Sequence, residues 1–203
     1  RTYRVERVDP QSARRPATAF DGASTGQSLN LPDARGYAIR ISLSDLSGIS
    51  TEEVESIING QPYLDLSDFH SRSGASYPTT EKLILVGAFD EIHKIGIASE
   101  NDINRRDLLL HLRDLQRSPG RFLGGAQLSF GFTPPALVSS GLPDLDAGEM
   151  VRNEVDHLGM DVSHHFLEFY ADFLNQTGAV RSSHLLAQRS CTAVVRAGVK
   201  VAI

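Results

Sequence analysis

The sequence predicts a mainly α chain built on paired short helices, and three observations carry that prediction. The first is the stretch Ile41-Ser-Leu-Ser-Asp-Leu-Ser-Gly-Ile-Ser-Thr-Glu-Glu-Val-Glu-Ser-Ile-Ile58, a short apolar helix, a Ser-Gly-Ile-Ser hairpin and a second helix. The second is the spacing of Leu108, Leu109, Leu112 and Leu115, at i, i+1, i+4 and i+7, which is the apolar stripe of a helix over residues 104–117. The third is punctuation: Gly60-Gln-Pro62, Tyr77-Pro-Thr-Thr80 and Gly87 stop and restart the chain at intervals suited to short helices. Strand signals are confined to the two ends of the chain.

Residues 2–8, Thr-Tyr-Arg-Val-Glu-Arg-Val, alternate as a strand does, and residues 37–41 alternate again, so the two are expected to pair in a small β-hairpin. Between them residues 9–35 are rich in Pro, Ser, Ala, Gly and Arg, with Phe20, Leu29 and Leu31 as the apolar anchors. Residues 1–35 are therefore read as a strand plus a largely flexible loop. Arg14, Arg15 and Arg35 are within the chemistry of a phosphate contact, although a solvated loop explains them as well.

Residues 36–117 are read as a tandem helix-hairpin-helix domain. In its first unit Gly48 supplies the positive φ that a tight inter-helix turn demands, and Ile49 plugs the space between the helices. Ser50 followed three residues later by Glu53 is a capping box, and the open amides of a helix start favour a phosphate. The pattern is that of a reader of the DNA backbone that does not discriminate bases. Its plain alternative is architecture, because Ser-x-x-Glu opens many helices and a glycine turn joins many helix pairs. The DNA-contact candidates are the backbone N–H groups of Ser47, Gly48, Ile49, Ser50 and Thr51, with the side chains of Arg40 and Lys82. Lys82 belongs to a second, degenerate unit: a helix from about Thr79 turns Leu83, Ile84 and Val86 to a core before Gly87 ends it.

Residues 118–147 hold Ser118-Pro-Gly120, Gly124-Gly125, Pro134-Pro135, Asp144 and Asp146, and are read as a linker. Residues 148–190 form a helical segment. A helix with Met150, Val151, Val155 and Leu158 runs to Gly159, one with Phe166, Phe169, Tyr170, Phe173 and Leu174 spans residues 164–175, and Ser182 caps a short one to about Arg189. Residues 191–203 are read as a strand.

At 203 residues and 40% hydrophobic the chain can bury the cores of one or two small domains. One cysteine, Cys191, excludes an internal disulfide and fits a reducing cytoplasm. No apolar run approaches the ~20 residues of a membrane span, and residues 1–20 carry too many charges for a signal peptide, so no membrane partner is expected. The abrupt start at Arg1 and the apolar end Val194-Val-Arg-Ala-Gly-Val-Lys-Val-Ala-Ile203 suggest a piece of something longer. A net charge of −5 argues against a strong non-specific DNA binder, since counterion release by Lys and Arg supplies most of that affinity. Any duplex contact is then local, and made largely by main chain.

No glycine-rich phosphate loop, Gly-x-Ser-x-Gly or paired-cysteine motif is present. Glu154, His157, Asp161, His164 and His165 lack the converging spacing of a metal site, because adjacent histidines at a helix start point apart. Asp144, Asp146 and Glu149, in a Pro- and Gly-bounded stretch, are read as solvated charge.

Taken in order, Tyr37-Ala-Ile-Arg-Ile-Ser-Leu-Ser-Asp-Leu-Ser-Gly-Ile-Ser50, Tyr63-Leu-Asp-Leu-Ser-Asp-Phe69, Glu81-Lys-Leu-Ile-Leu-Val-Gly-Ala-Phe-Asp90 and Asn104-Arg-Arg-Asp-Leu108 resemble the region after the fingers of the bacterial family C DNA polymerases, the DNA polymerase III alpha subunits. The likeness continues through Gln127-Leu-Ser-Phe130 and Glu154-Val-Asp-His-Leu-Gly-Met-Asp-Val-Ser-His-His165, the latter closer to the error-prone homologue than to the main replicase. The resemblance implies nucleotidyl transfer, in translesion or repair synthesis, as the activity of a parent whose catalytic aspartates lie upstream in the palm. None transfers to a residue here, so the catalytic and metal sets of this chain are empty and Mg²⁺ is implied for the parent alone. It further implies that residues 191–203 are the first strand of a truncated OB-fold, that the partner is primer–template duplex, and that Gln127, Leu128, Phe130 and Phe132 stand where family members bind the sliding clamp. Phe130 replaces the usual Leu there, and Gly131 separates it from Phe132. The rival function is a protein-interaction scaffold recruiting the clamp or accessory repair factors.

Overall fold

The computed structural model describes residues 3–7, 37–96, 103–117 and 135–198. Among these residues it is mainly helical, with one two-stranded sheet. Strand β1 (Arg4–Arg7) pairs antiparallel with β2 (Tyr37–Arg40), placing Val5 opposite Ile39. Both of those side chains are 68% exposed, so that face of the ribbon is uncovered. An ion pair between Glu6 and Arg40 at 2.8 Å ties its two strands together.

The first helix expected from residues 41–46 is a single 3-10 turn, Leu43–Asp45, capped by the Ser42 hydroxyl. Ser42, Ser44, Asp45 and Ser47 crowd this segment, and such side chains offer the backbone local hydrogen bonds that compete with a longer helix. After the hairpin, α1 (Thr51–Asn59) starts from the predicted capping box and buries Ile57. Helix α2 (Leu66–Arg72) is capped by Asp65, and α3 (Tyr77–Leu85) by Ser76, with Pro78 in a first turn that needs no N–H. A one-turn helix, α4 (Asp90–His93), follows Gly87 and completes the second helix-hairpin-helix unit. Helix α5 (Arg105–Arg117) lies against α2 and α3, with Leu108 and Leu112 fully buried.

A single apolar cluster joins these helices: Leu46, Ile57, Leu66, Phe69, Leu83, Ile84, Phe89, Ile95, Leu108 and Leu112. Each such side chain taken from water contributes about 1.5–3 kcal/mol. Tyr63, Phe69 and Phe89 stack edge to face at 4.8 and 5.0 Å between centroids. The hairpins are thus held from behind by a common core.

Residues 135–146, the described part of the expected linker, are docked rather than free. Asn104 Nδ2 donates to the Leu142 carbonyl, the Ser140 amide to Asp107, and the Arg105 amide to Asp144 Oδ1. Leu145 is buried. The strap leads into α6 (Ala147–Leu158), whose start is a second capping box, Asp146 with Glu149, and which packs on α3. The reading of Asp144, Asp146 and Glu149 as solvated charge is therefore corrected: each accepts hydrogen bonds, and Glu149 also pairs with Arg106 at 2.8 Å. Glu154, 2% exposed, receives the amides of Val162 and Ser163 and folds the chain back after Gly159.

Beyond that point the expected helix over residues 164–175 is a 3-10 helix, Phe166–Tyr170, running into α7 (Ala171–Gln176). A further 3-10 helix spans Ser182–Ala187. Of the predicted OB-fold strand, Val195 forms an isolated parallel bridge with Ala179, residues 196–198 carry no regular structure, and residues 199–203 lie outside the described residues. No helix among the described residues is long and apolar enough to cross a membrane.

Candidate nucleic-acid interface

The hairpin between Leu46 and Thr51 has the geometry its sequence predicts. Gly48 sits at φ +78°, a left-handed conformation that side chains resist, and Ile49 packs on the core behind it. Lys82 reaches across from α3 and donates from Nζ to the Ser47 carbonyl at 2.5 Å. A Cβ built on Gly48 would lie 3.3 Å from that ammonium, so the cation sits directly over the glycine.

Of the five expected amides, three already have acceptors. Ser47 donates to the carbonyl of His157 in the last turn of α6 at 2.8 Å, Ile49 to Leu46, and Ser50 to Glu53 Oε2 at 3.1 Å. The amides of Gly48 and Thr51 donate to no group among the described residues, and with Lys82 they form the open part of the site. Arg40, the other expected contact, is engaged by Glu6 through two hydrogen bonds of 2.8 Å, and that carboxylate raises the guanidinium's pKa. Arg14, Arg15 and Arg35, within the chemistry of a phosphate contact by sequence, lie outside the described residues.

The carboxylates around the hairpin are themselves occupied. Glu53 takes the Ser76 amide at 2.8 Å on Oε1 while Oε2 holds Ser50, so one side chain joins the starts of α1 and α3. The Ser76 amide above all, with that of Ser50, brings its pKa down to about 2. Glu52 is held below the usual carboxylate range by its own backbone N–H and then by the Ser50 hydroxyl. Both side chains are thus held as carboxylates on helix-start donors.

The second hairpin differs in kind. Gly87, at φ +82°, has the Arg105 guanidinium packed on it, and Arg105 is 3% exposed. That guanidinium holds Asp90 at 3.0 and 2.8 Å and the Leu85 carbonyl at 2.9 Å. The amides of Gly87, Ala88 and Asp90 all bond within the turn. This hairpin is an internal joint between α3, α4 and α5.

One cavity was not foreseen: a cleft of about 380 Å³ lined by Asp65, Ser67, His93, His111 and the start of the strap. His93 Nε2 accepts the Leu66 amide, and His111 Nε2 bonds the Ser67 hydroxyl at 2.9 Å. Burial lowers the pKa of both imidazoles, against the pull of Asp65. No sequence signal marked either residue, each being a lone histidine near an apolar helix face. Among the described residues no three His, Cys, Asp or Glu side chains are grouped to hold a metal. The clamp candidates Gln127, Leu128, Phe130 and Phe132 lie outside the described residues.

Comparison with known proteins places this geometry in a family. Residues 10–96 match the helix-hairpin-helix motif family. The chain is also 29% identical to an error-prone DNA polymerase of Symbiobacterium thermophilum, over an alignment of 190 residues that takes in 83% of this chain. It spans 17% of that polymerase's length. The glycine hairpin, the capped helix behind it and this likeness along most of the chain agree: residues 10–96 carry a helix-hairpin-helix motif, in a chain similar to part of an error-prone DNA polymerase.

Proposed function

We propose that this chain is a non-catalytic module that grips the backbone of duplex DNA for an error-prone polymerase of the DNA polymerase III alpha type, which performs translesion or repair synthesis. The observation that carries the reading is the Gly48 turn: two open amides, no Cβ in the way, and the Lys82 ammonium immediately beside them. Backbone N–H groups and one ammonium suit a phosphate oxygen, and such contacts fix register on the duplex without reading sequence. In this reading the duplex is the primer–template behind the growing end, Mg²⁺ serves the parent's palm, and no residue of this chain is assigned to chemistry.

The test is an amide chemical-shift titration of the labelled chain with a short primer–template duplex at low and moderate salt. Salt-sensitive shifts at Gly48 and Thr51, lost in Lys82→Gln, are the expected result. An unmoved hairpin at low salt overturns the reading and leaves recruitment of a clamp or repair factor as the function to pursue.

A further inference from the structure

Among the described residues the hairpin supplies one cation with no carboxylate partner, Lys82, and a duplex backbone contact needs more. The distribution of charge along the chain shows where the others are. Residues 173–203 contain Arg181, Arg189, Arg196 and Lys200 and not one Asp or Glu, whereas residues 1–172 hold all twenty-five acidic side chains against sixteen basic ones. A net acidic chain thus ends in a basic stretch.

The structure distinguishes two of these arginines, Arg189 and Arg196, from others. Arg40, Arg72, Arg105 and Arg106 are each matched to a carboxylate within hydrogen-bond distance. Arg189 and Arg196 are exposed and make no ion pair among the described residues. The chain also folds back so as to gather its charge: Ala179 bridges Val195 in parallel, and the Val180 amide donates to the Val195 carbonyl at 2.9 Å. That pairing sets Arg181 and Arg196, each one residue beyond a bonded position, on neighbouring rows.

We propose that residues 179–198 form a second DNA contact, in which Arg189 and Arg196 neutralise phosphates of the duplex. The inference rests on the duplex-binding reading of the hairpin and adds to it the source of the electrostatic affinity. Unpaired arginines release counterions on binding, whereas arginines already bound to carboxylates release few. The stretch lacks the acidic side chains that would repel the backbone.

The experiment is the salt dependence of the chain's affinity for a fluorescent primer–template duplex, measured for the wild type, the double variant Arg189→Gln/Arg196→Gln, and Arg113→Gln/Arg117→Gln on the exposed side of α5 as a control for net charge. All four positions are exposed, and circular dichroism checks that each variant keeps its helices. The first double variant is expected to bind several-fold more weakly and to lose about 2 from the slope of log K against log salt, roughly one per phosphate contact. The control is expected to keep most of the wild-type slope. An unchanged slope in Arg189→Gln/Arg196→Gln, or an equal loss in the control, overturns the second contact. If the wild type still shifts Gly48 and Thr51 in the same titration, the hairpin reading survives that result. A wild type that does not bind overturns both.

Discussion

At Gly48 a single hydrogen atom on Cα separates an open left-handed turn from a strained one. An alanine there must adopt a left-handed conformation, at a cost of about 1–2 kcal/mol, and its methyl lies 3.3 Å from the Lys82 ammonium. Lysine is flexible and moves aside, so Gly48→Ala is expected to fold, with a modest fall in unfolding free energy, and to lose duplex affinity. A titration in which Gly48→Ala binds as the wild type does would contradict the site. Gly87→Ala carries a different expectation. Its methyl would lie 2.9 Å from Cζ of the Arg105 guanidinium, which is buried and bonded to Asp90. Displacing that guanidinium leaves an uncompensated charge, so urea unfolding should show a loss of about 3–5 kcal/mol. The two glycines share a sign of φ and a place in a hairpin, and differ in their neighbours: the Lys82 ammonium beside Gly48, the buried Arg105 guanidinium against Gly87.

At the scale of elements, two sets of groups make stability depend on pH in separate windows. Burial lowers the pKa of His93 and His111 from the ordinary value of 6.5, so the unfolded chain takes up protons more readily than the folded one. Stability is complete above the ordinary histidine range and falls as the pH drops from there toward the folded values. His111→Gln should flatten this slope in denaturant unfolding measured from about pH 7.5 to pH 5, and an unchanged slope would exclude the cleft as its source. Glu53 acts lower down. Its folded pKa of about 2 lies below its reference value of 4.5, so its contribution is present above that reference and is lost as the pH falls toward 2. Glu53→Gln is expected to cost about 1 kcal/mol at neutral pH and to remove this second dependence. The capping box, the glycine turn and the leucine stripe were legible because each is a local pattern, complete within one helix turn or hairpin. The acceptors that fill the hairpin were not. Ser47 bonds to His157, Arg40 to Glu6 and Ser76 to Glu53, and only the folded chain brings those residues together. The strap over α5 was hidden for a related reason: its Pro, Gly and Asp composition reads as a linker until Asn104, Arg105 and Asp107 are seen to hold it.

Across the whole molecule the distribution of buried apolar surface sets which parts unfold together. Every side chain of the main core lies between Leu46 and Leu112, and α6 joins it through Leu158, while Val151 on the same helix is 2% exposed. After Glu154 no side chain among the described residues is buried, and Phe166, Phe169, Tyr170 and Phe173 are 43–61% exposed. Helix α7 is therefore held by little beyond its own turn and the preceding 3-10 helix, and short helices without tertiary burial are marginal in water. Opening free energy tracks burial, so native-state hydrogen exchange should separate the chain into two classes. The amides of α1, α3 and α5 are expected to exchange only on global unfolding, and those of α7 at least a hundredfold faster, with little response to mild stabilisation of the core. Equal protection of α5 and α7 would show that the aromatic residues of the C-terminal part are covered in solution. If duplex DNA contacts the basic stretch that follows, adding the duplex should slow exchange at Val180, whose amide bonds Val195, while leaving the already protected α5 unchanged. Protection confined to the hairpin would instead place the whole contact at Gly48 and Lys82.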